Sequence, residues 1–164
     1  MKNLYLIGGT MGVGKTAACR ALKRMLPNAV LLDGDWCWDA DPFMVTDETK
    51  AMVMDNVCHL LANFLACPAY ENVILCWVMH EQSIIDDILA RLDTSDCMVR
   101  AVSLVCSEEE LRARLEGDVA NCIRQPDVIA RSLARLPLYA TLDTTKLDTT
   151  GLTPDQVAGM IASL

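Results

Sequence analysis

Apolar residues in this chain alternate between two patterns. Short dense runs appear at Leu4–Ile7, Ala29–Leu32, Asn72–Met79 and Val99–Val105, with a weaker one at Lys146–Leu147. Runs of this length and density predict strands buried on both faces. Between them the apolar positions recur every three or four residues, which predicts helices. The spacing predicts helices over Thr16–Met25, Asp47–Ala66, Ser83–Leu92 and Asp127–Leu136. Ile84, Ile85, Ile88, Leu89 and Leu92 form one stripe of the third, and Ser83 with Asp86 resembles its capping box. Two more helices are marked by their starts: Ser107 with Glu110, and Thr153-Pro154 with Gln156. Strands separated by helices predict an α/β fold, a parallel sheet covered on both sides. No repeat, low-complexity segment or linker interrupts residues 1–164, so a single domain is expected.

The junction of the first strand and first helix carries the clearest chemistry. Gly9-Thr10-Met11-Gly12-Val13-Gly14-Lys15-Thr16 is a complete G-x-x-x-x-G-K-[ST] loop. Glycines let backbone N–H groups close around phosphate oxygens, and the helix start adds its positive dipole end. Residues Gly9, Thr10, Met11, Gly12, Val13, Gly14, Lys15, Thr16 and Ala17 are therefore the expected cofactor cradle. Lys15 is expected to reach the β- and γ-phosphates of ATP, and the Thr16 hydroxyl to ligate Mg²⁺.

Composition narrows the partners. Apolar residues make up 52% of 164 positions and charged residues 22%, a globular balance. The longest apolar run, Val73–Met79, is too short to span a bilayer. The first strand begins without a secretory segment, so a cytoplasmic location is expected. A net charge of −8 argues against nucleic acid and anionic membranes as partners. None of the eight cysteines forms a Cys-x-x-Cys pair, so reduced core thiols are expected. The apolar content is compatible with a monomer or a homodimer.

Further candidates follow the later strands, where ligands bind in open α/β sheets. Asp33 and Asp35 flank Gly34 after the second strand. Asp33 is placed to hold Mg²⁺ through water, and Asp35 to take a proton from an attacking hydroxyl. The alternative is a solvated Asp-Gly turn. Trp36, Trp38 and Phe43 follow, three of eight aromatics. They form either a stacking wall for substrate, with Trp36 foremost, or a hydrophobic plug. His80 and Glu81 follow the third strand, where either contacts the acceptor or binds Mg²⁺ through water, with a helix-capping or surface role the alternative for Glu81. No carboxylate stands there in the Walker B position, so that duty falls to Asp33. Arg112, Arg114, Arg124, Arg131 and Arg135 concentrate in one region, with Arg131 and Arg135 on one helix face. They either neutralise phosphoryl charge beside a short lid at 118–126, or pair with Glu108–Glu110 and Glu116 on a solvated helix.

The phosphate loop at the first strand, the Asp-Gly-Asp after the second and the arginine-rich segment after the fourth carry a resemblance. The chain resembles small P-loop kinases of the nucleoside-monophosphate, shikimate and gluconate kinase type, a plan shared by adenylylsulfate kinase and chloramphenicol phosphotransferase. The string Asp33–Trp38 also resembles P-loop nucleotide kinase-like ATPases. The resemblance implies a three-layer P-loop NTPase fold with a five-stranded parallel sheet in order 2-3-1-4-5. It implies that Asp35 handles the acceptor hydroxyl and that Arg124 and Arg131 contact the phosphates. It places Arg114 and the loop 148–151 beside adenine. Two departures bear on the acceptor. Val78-Met79-His80-Glu81 replaces the glycine turn of shikimate kinases, and Lys50 is the only lysine or arginine between Cys37 and Arg91. A neutral or cationic acceptor is therefore expected over a strongly anionic one.

The expected activity is ATP-dependent phosphotransfer to a hydroxyl of a small molecule. Lys15, Asp35, Arg124 and Arg131 are the catalytic candidates, while Asp35, Trp36, His80 and Arg135 are the substrate candidates. A nucleoside or nucleotide kinase and a non-catalytic ATP-binding interaction module are the alternatives.

Overall fold

The computed structural model describes residues 1–164. Five strands, β1 (Lys2–Gly9), β2 (Ala29–Asp33), β3 (Asn72–Cys76), β4 (Cys97–Val105) and β5 (Thr145–Asp148), form one sheet in the order β2-β3-β1-β4-β5. Every pairing is parallel. Six α-helices connect and cover it: α1 (Lys15–Met25), α2 (Asp47–Ala66), α3 (Gln82–Arg91), α4 (Glu108–Ala120), α5 (Asp127–Arg135) and α6 (Pro154–Ala162). Short 3₁₀ helices lie at Gly34–Trp38 and Leu136–Thr141.

Two cores explain why the strands read as unbroken apolar runs. In β1, Tyr5 and Ile7 enter the core under α1, α4, α5 and α6, while Leu4 and Leu6 enter the core under α2 and α3. β3 divides the same way, Ile74 and Cys76 against Val73 and Leu75. Alternation across the pleat sends both sets to buried surfaces, so no polar face is left. All eight cysteines are free; Cys19, Cys58, Cys76 and Cys106 are buried and Cys122 is exposed. No helix is long and apolar enough to cross a membrane.

Several boundaries differ from the sequence expectation. β3 stops at Cys76, and Trp77–Glu81 runs on as irregular chain with Met79 at a φ of 35°. The apolar run misleads there because Trp77 and Met79 are core residues outside any strand. α3 begins one residue earlier than expected, with Glu81 as its N-cap and no side-chain cap bond. Ser83 therefore sits inside the first turn, and Asp86 accepts from Gln82 Nε2 at 2.8 Å instead. α4 continues to Ala120, so residues 118–120 of the expected lid are helical and 121–126 link α4 to α5. Thr153 and Gln156 do form the reciprocal capping box of α6.

Candidate active site

The loop from Gly9 to Thr16 leaves β1 and enters α1 through backbone only glycine tolerates well. Gly12 and Gly14 have φ of 82° and 101°, and Gly14 is the N-cap of α1. A Cβ on Gly12 would lie 2.6 Å from Leu115 Cδ2, so α4 also packs against the loop. Lys15 Nζ donates to the Thr10 carbonyl at 2.9 Å, curling its side chain over the loop. Burial holds the Lys15 pKa below its ordinary value, against the opposing pull of Cys76, Asp35, Cys19 and Asp33. Ala17 is exposed in the first turn of α1.

Asp33 ends β2, buried beneath the loop. Its Oδ2 accepts from the Thr16 hydroxyl at 3.3 Å, and its Oδ1 accepts from the Asp35 backbone N–H at 3.2 Å. One carboxylate thus fixes both the Thr16 hydroxyl and the turn that presents Asp35. Gly34 is needed between them because a Cβ there would lie 2.4 Å from the Trp77 indole. Asp35 stands on the rim of the cleft. Desolvation and then Asp33 raise its pKa, while Lys15 and Arg124 oppose the rise.

The 3₁₀ geometry of Gly34–Trp38 decides which aromatic faces the site. Residues three apart eclipse in a 3₁₀ helix, so Trp38 follows Asp35 into the cleft and Trp36 does not. Trp36, 59% exposed, lines a separate groove with Asn56 and His59 of α2. Trp36 is thus set apart from the cleft that it was expected to wall, while Trp38 lines it, its ring centroid 4.9 Å from that of Phe43.

One cleft of about 670 Å³ gathers these groups. Lys15, Thr16 and Asp33 line its floor, Asp35 its rim, and Arg124, Arg131 and Arg135 line it from the α4–α5 side. Arg124 Nε is held by Asp118 at 3.0 Å and Arg131 Nε by Asp127 at 2.9 Å. His80 lines the same cleft, its Nε2 3.3 Å from Glu81 Oε1 and its buried Nδ1 without a partner. Burial, and secondarily Arg135, lowers the His80 pKa, so the ring is neutral at pH 7. Arg114 lies elsewhere. It donates to the carbonyls of Val13 and Thr149 at 3.0 and 3.2 Å and pairs with Glu110, joining phosphate loop, α4 and the loop after β5. A smaller pocket of about 260 Å³ opens beside it, between Gly14 and Pro154. Arg112 pairs with Glu108 and lines neither cavity.

Ser132 completes the site and did not figure among the expected residues. It is fully buried, as is Thr10. The Thr10 hydroxyl lies 2.8 Å from Ser132 Oγ and 2.9 Å from its carbonyl, and Ser132 Oγ donates to the Met11 carbonyl. These bonds clamp α5, and with it Arg131 and Arg135, to the phosphate loop. The signal was present: a serine one turn after Val128, on the apolar face of α5. Ser132→Ala should lower stability by about 0.5–1.5 kcal/mol, since the Met11 carbonyl loses its donor while Thr10 keeps the Ser132 carbonyl. It should also weaken nucleotide binding several-fold; denaturation and nucleotide titration check both.

The residues present also fit Mg²⁺. Thr16 and Asp33 offer hard oxygens 3.3 Å apart beside the phosphate loop.

Solved structures share this architecture. The Deinococcus radiodurans tunicamycin resistance protein superposes with a TM-score of 0.71 at 22% identity, covering 99% of this chain and 95% of its own. A gluconokinase from Sinorhizobium meliloti 1021 gives 0.71 at 16% identity, covering 98% and 90%. A shikimate kinase from Acinetobacter baumannii, in complex with shikimate, gives 0.63 at 18% identity, covering 99% and 92%. No curated protein matches the sequence. Residues 6–132 match the AAA domain family, and with its phosphate loop and five-stranded 2-3-1-4-5 sheet the chain belongs to that family in the form of a small P-loop kinase fold.

Proposed function

We propose that the protein transfers the γ-phosphoryl of ATP to a hydroxyl of a small molecule. The observation that carries this reading is the shared cleft: a complete phosphate loop, a carboxylate facing it and three arginines opposite. Lys15 and the loop amides hold the phosphates, and Arg114 with the pocket beside it bounds the adenine. Thr16, with Asp33 through water, would hold Mg²⁺, which when bound would supply charge to offset the phosphate oxygens. Asp35 accepts the proton of the attacking hydroxyl. Arg124 and Arg131 close over the γ-phosphoryl as 121–126 folds down, excluding water so that transfer outruns hydrolysis.

A base must be ionised, and Asp35 holds its proton above the ordinary carboxylate range. The transfer rate should therefore rise with pH through a midpoint above about 4, the usual carboxylate value. A pH–rate profile measures it, and a midpoint at or below that of an ordinary carboxylate argues against Asp35 as the base.

ADP release measured against pooled acceptors tests the reading as a whole. Stimulation by one pool supports it, whereas nucleotide binding without stimulation by any pool counts against it. The Trp38–Phe43 pair favours a second reading, a nucleoside or nucleotide kinase stacking a base there, and nucleoside pools test it in the same assay.

A further inference from the structure

The acceptor half of the cleft has its own chemistry. Opposite the arginines, its wall consists of Trp38, Phe43, Val45, Met54, Trp77 and Ile84. This wall is built from distant pieces. Trp38 follows from the 3₁₀ turn that presents Asp35, and Trp77 is pressed against Gly34. Phe43 and Val45 belong to the loop before α2, which the Thr49 hydroxyl ties down by donating to the Met44 carbonyl at 2.9 Å. Phe43 and Val45 are nevertheless 59% and 58% exposed. Large apolar side chains left open beside a polar reaction centre mark a surface that a ligand covers.

The polar groups on this side are few. Glu81 faces His80, whose buried Nδ1 offers one open partner, Lys50 lies 3.8 Å from Asp47 at the surface, and Asp35 is reserved for the reacting hydroxyl. A polyol seated here would lose water from several hydroxyls and find partners for hardly any. Each buried hydroxyl left unpaired weakens binding by roughly tenfold. The charge points the same way. The whole cleft holds five lysine and arginine side chains against three carboxylates, an excess that a triphosphate consumes. Little positive charge remains to hold an anionic acceptor.

From this wall we infer that the acceptor is an alcohol with an aromatic or branched apolar body and few other polar groups. Its ring or alkyl face lies against Trp38 and Phe43, and its hydroxyl reaches Asp35. The inference rests on the phosphotransfer reading above and specifies its substrate class. In the step itself, the acceptor oxygen bonds to the γ-phosphorus as the bond to the β,γ-bridging oxygen breaks. The hydroxyl proton passes to Asp35, and ADP leaves with the bridging oxygen.

The test is Mg²⁺-ATP-dependent ADP release by the intact protein with three probe sets. One holds 2-phenylethanol and cyclohexylmethanol, one sorbitol and gluconate, one adenosine and thymidine. The expected result is kcat/KM at least about tenfold higher for the first set, since apolar pockets discriminate by about 10–200-fold per group. Phe43→Ala, at an exposed position that should not disturb folding, should raise KM for the preferred apolar alcohol by about tenfold with little change in kcat. Trp38→Leu should act in the same direction. Preference for a polyol or nucleoside leaves phosphotransfer standing and overturns this inference, as does an unchanged KM in Phe43→Ala. Silence in every set while ATP still binds overturns both.

Discussion

Lys15→Ala should abolish measurable turnover, a loss of roughly 10³-fold or more in kcat/KM. A fixed positive charge aimed at phosphoryl oxygens is worth about 10²–10³ even as a single donor in a preorganised site. Lys15 is no free surface charge: its ammonium is curled onto the Thr10 carbonyl and half-buried beside Cys76 and Asp33. That burial lowers its pKa in the free protein, and incoming phosphate favours the charged form. Nucleotide affinity should fall by about 10–100-fold, the equivalent of one charged hydrogen bond. The fold should survive, because Thr10 and Met11 remain anchored to Ser132 without the lysine. Calorimetric titration with ADP beside a coupled turnover assay separates the two effects. Parent-like turnover would remove the phosphate loop from the mechanism.

The second large effect is expected from Asp35→Asn: a drop in kcat of about 10²–10⁴, with the ATP dissociation constant held within a few-fold. The substitution keeps the shape of the side chain. It also keeps the turn, since the bond to Asp33 Oδ1 comes from the Asp35 backbone N–H. What disappears is the site for the acceptor's proton. The raised pKa adds a sign that a structural role would not predict. A carboxyl that binds its proton more tightly in the fold than in the unfolded chain destabilises the fold once ionised. The neutral asparagine should therefore melt no lower than the parent at pH 7, while losing activity. The acid limb of the pH–rate profile should vanish with it. Equal kinetics for parent and variant would refute the general-base role.

These two residues were legible for different reasons. Lys15 belongs to a contiguous motif whose spacing is itself the chemistry. Asp35 was legible only by position, as a carboxylate just after a strand end, and an Asp-Gly turn offers the same letters. The Gly34 between the two aspartates is constrained from afar, by Trp77, 43 residues on, whose indole an added Cβ would meet at 2.4 Å. The arginines divided similarly. Arg112 pairs with Glu108 one helical turn away, the local alternative already visible in the sequence. Arg114 also pairs locally, with Glu110, yet its Nη1 and Nη2 donate as well to the carbonyls of Val13 and Thr149.

The sequence by itself determined the layered α/β plan and the phosphate loop. Apolar runs, helical stripes and a glycine motif are local features, and local sterics and periodicity translate them directly into strands, helices and a cradle. The loop kept its conformational demand at Gly12 and Gly14, which no distant contact could change. Which side chains share a cleft was decided only by the tertiary structure. Trp36 and Trp38 are nearly identical as letters, and a 3₁₀ turn sent one outward and the other to the site. Ser132 reads as an ordinary helical serine until α5 docks on the phosphate loop and buries its hydroxyl against Thr10. Both outcomes depend on the angle at which one element meets another, and that angle is set by packing summed over both cores, which no short stretch of chain encodes.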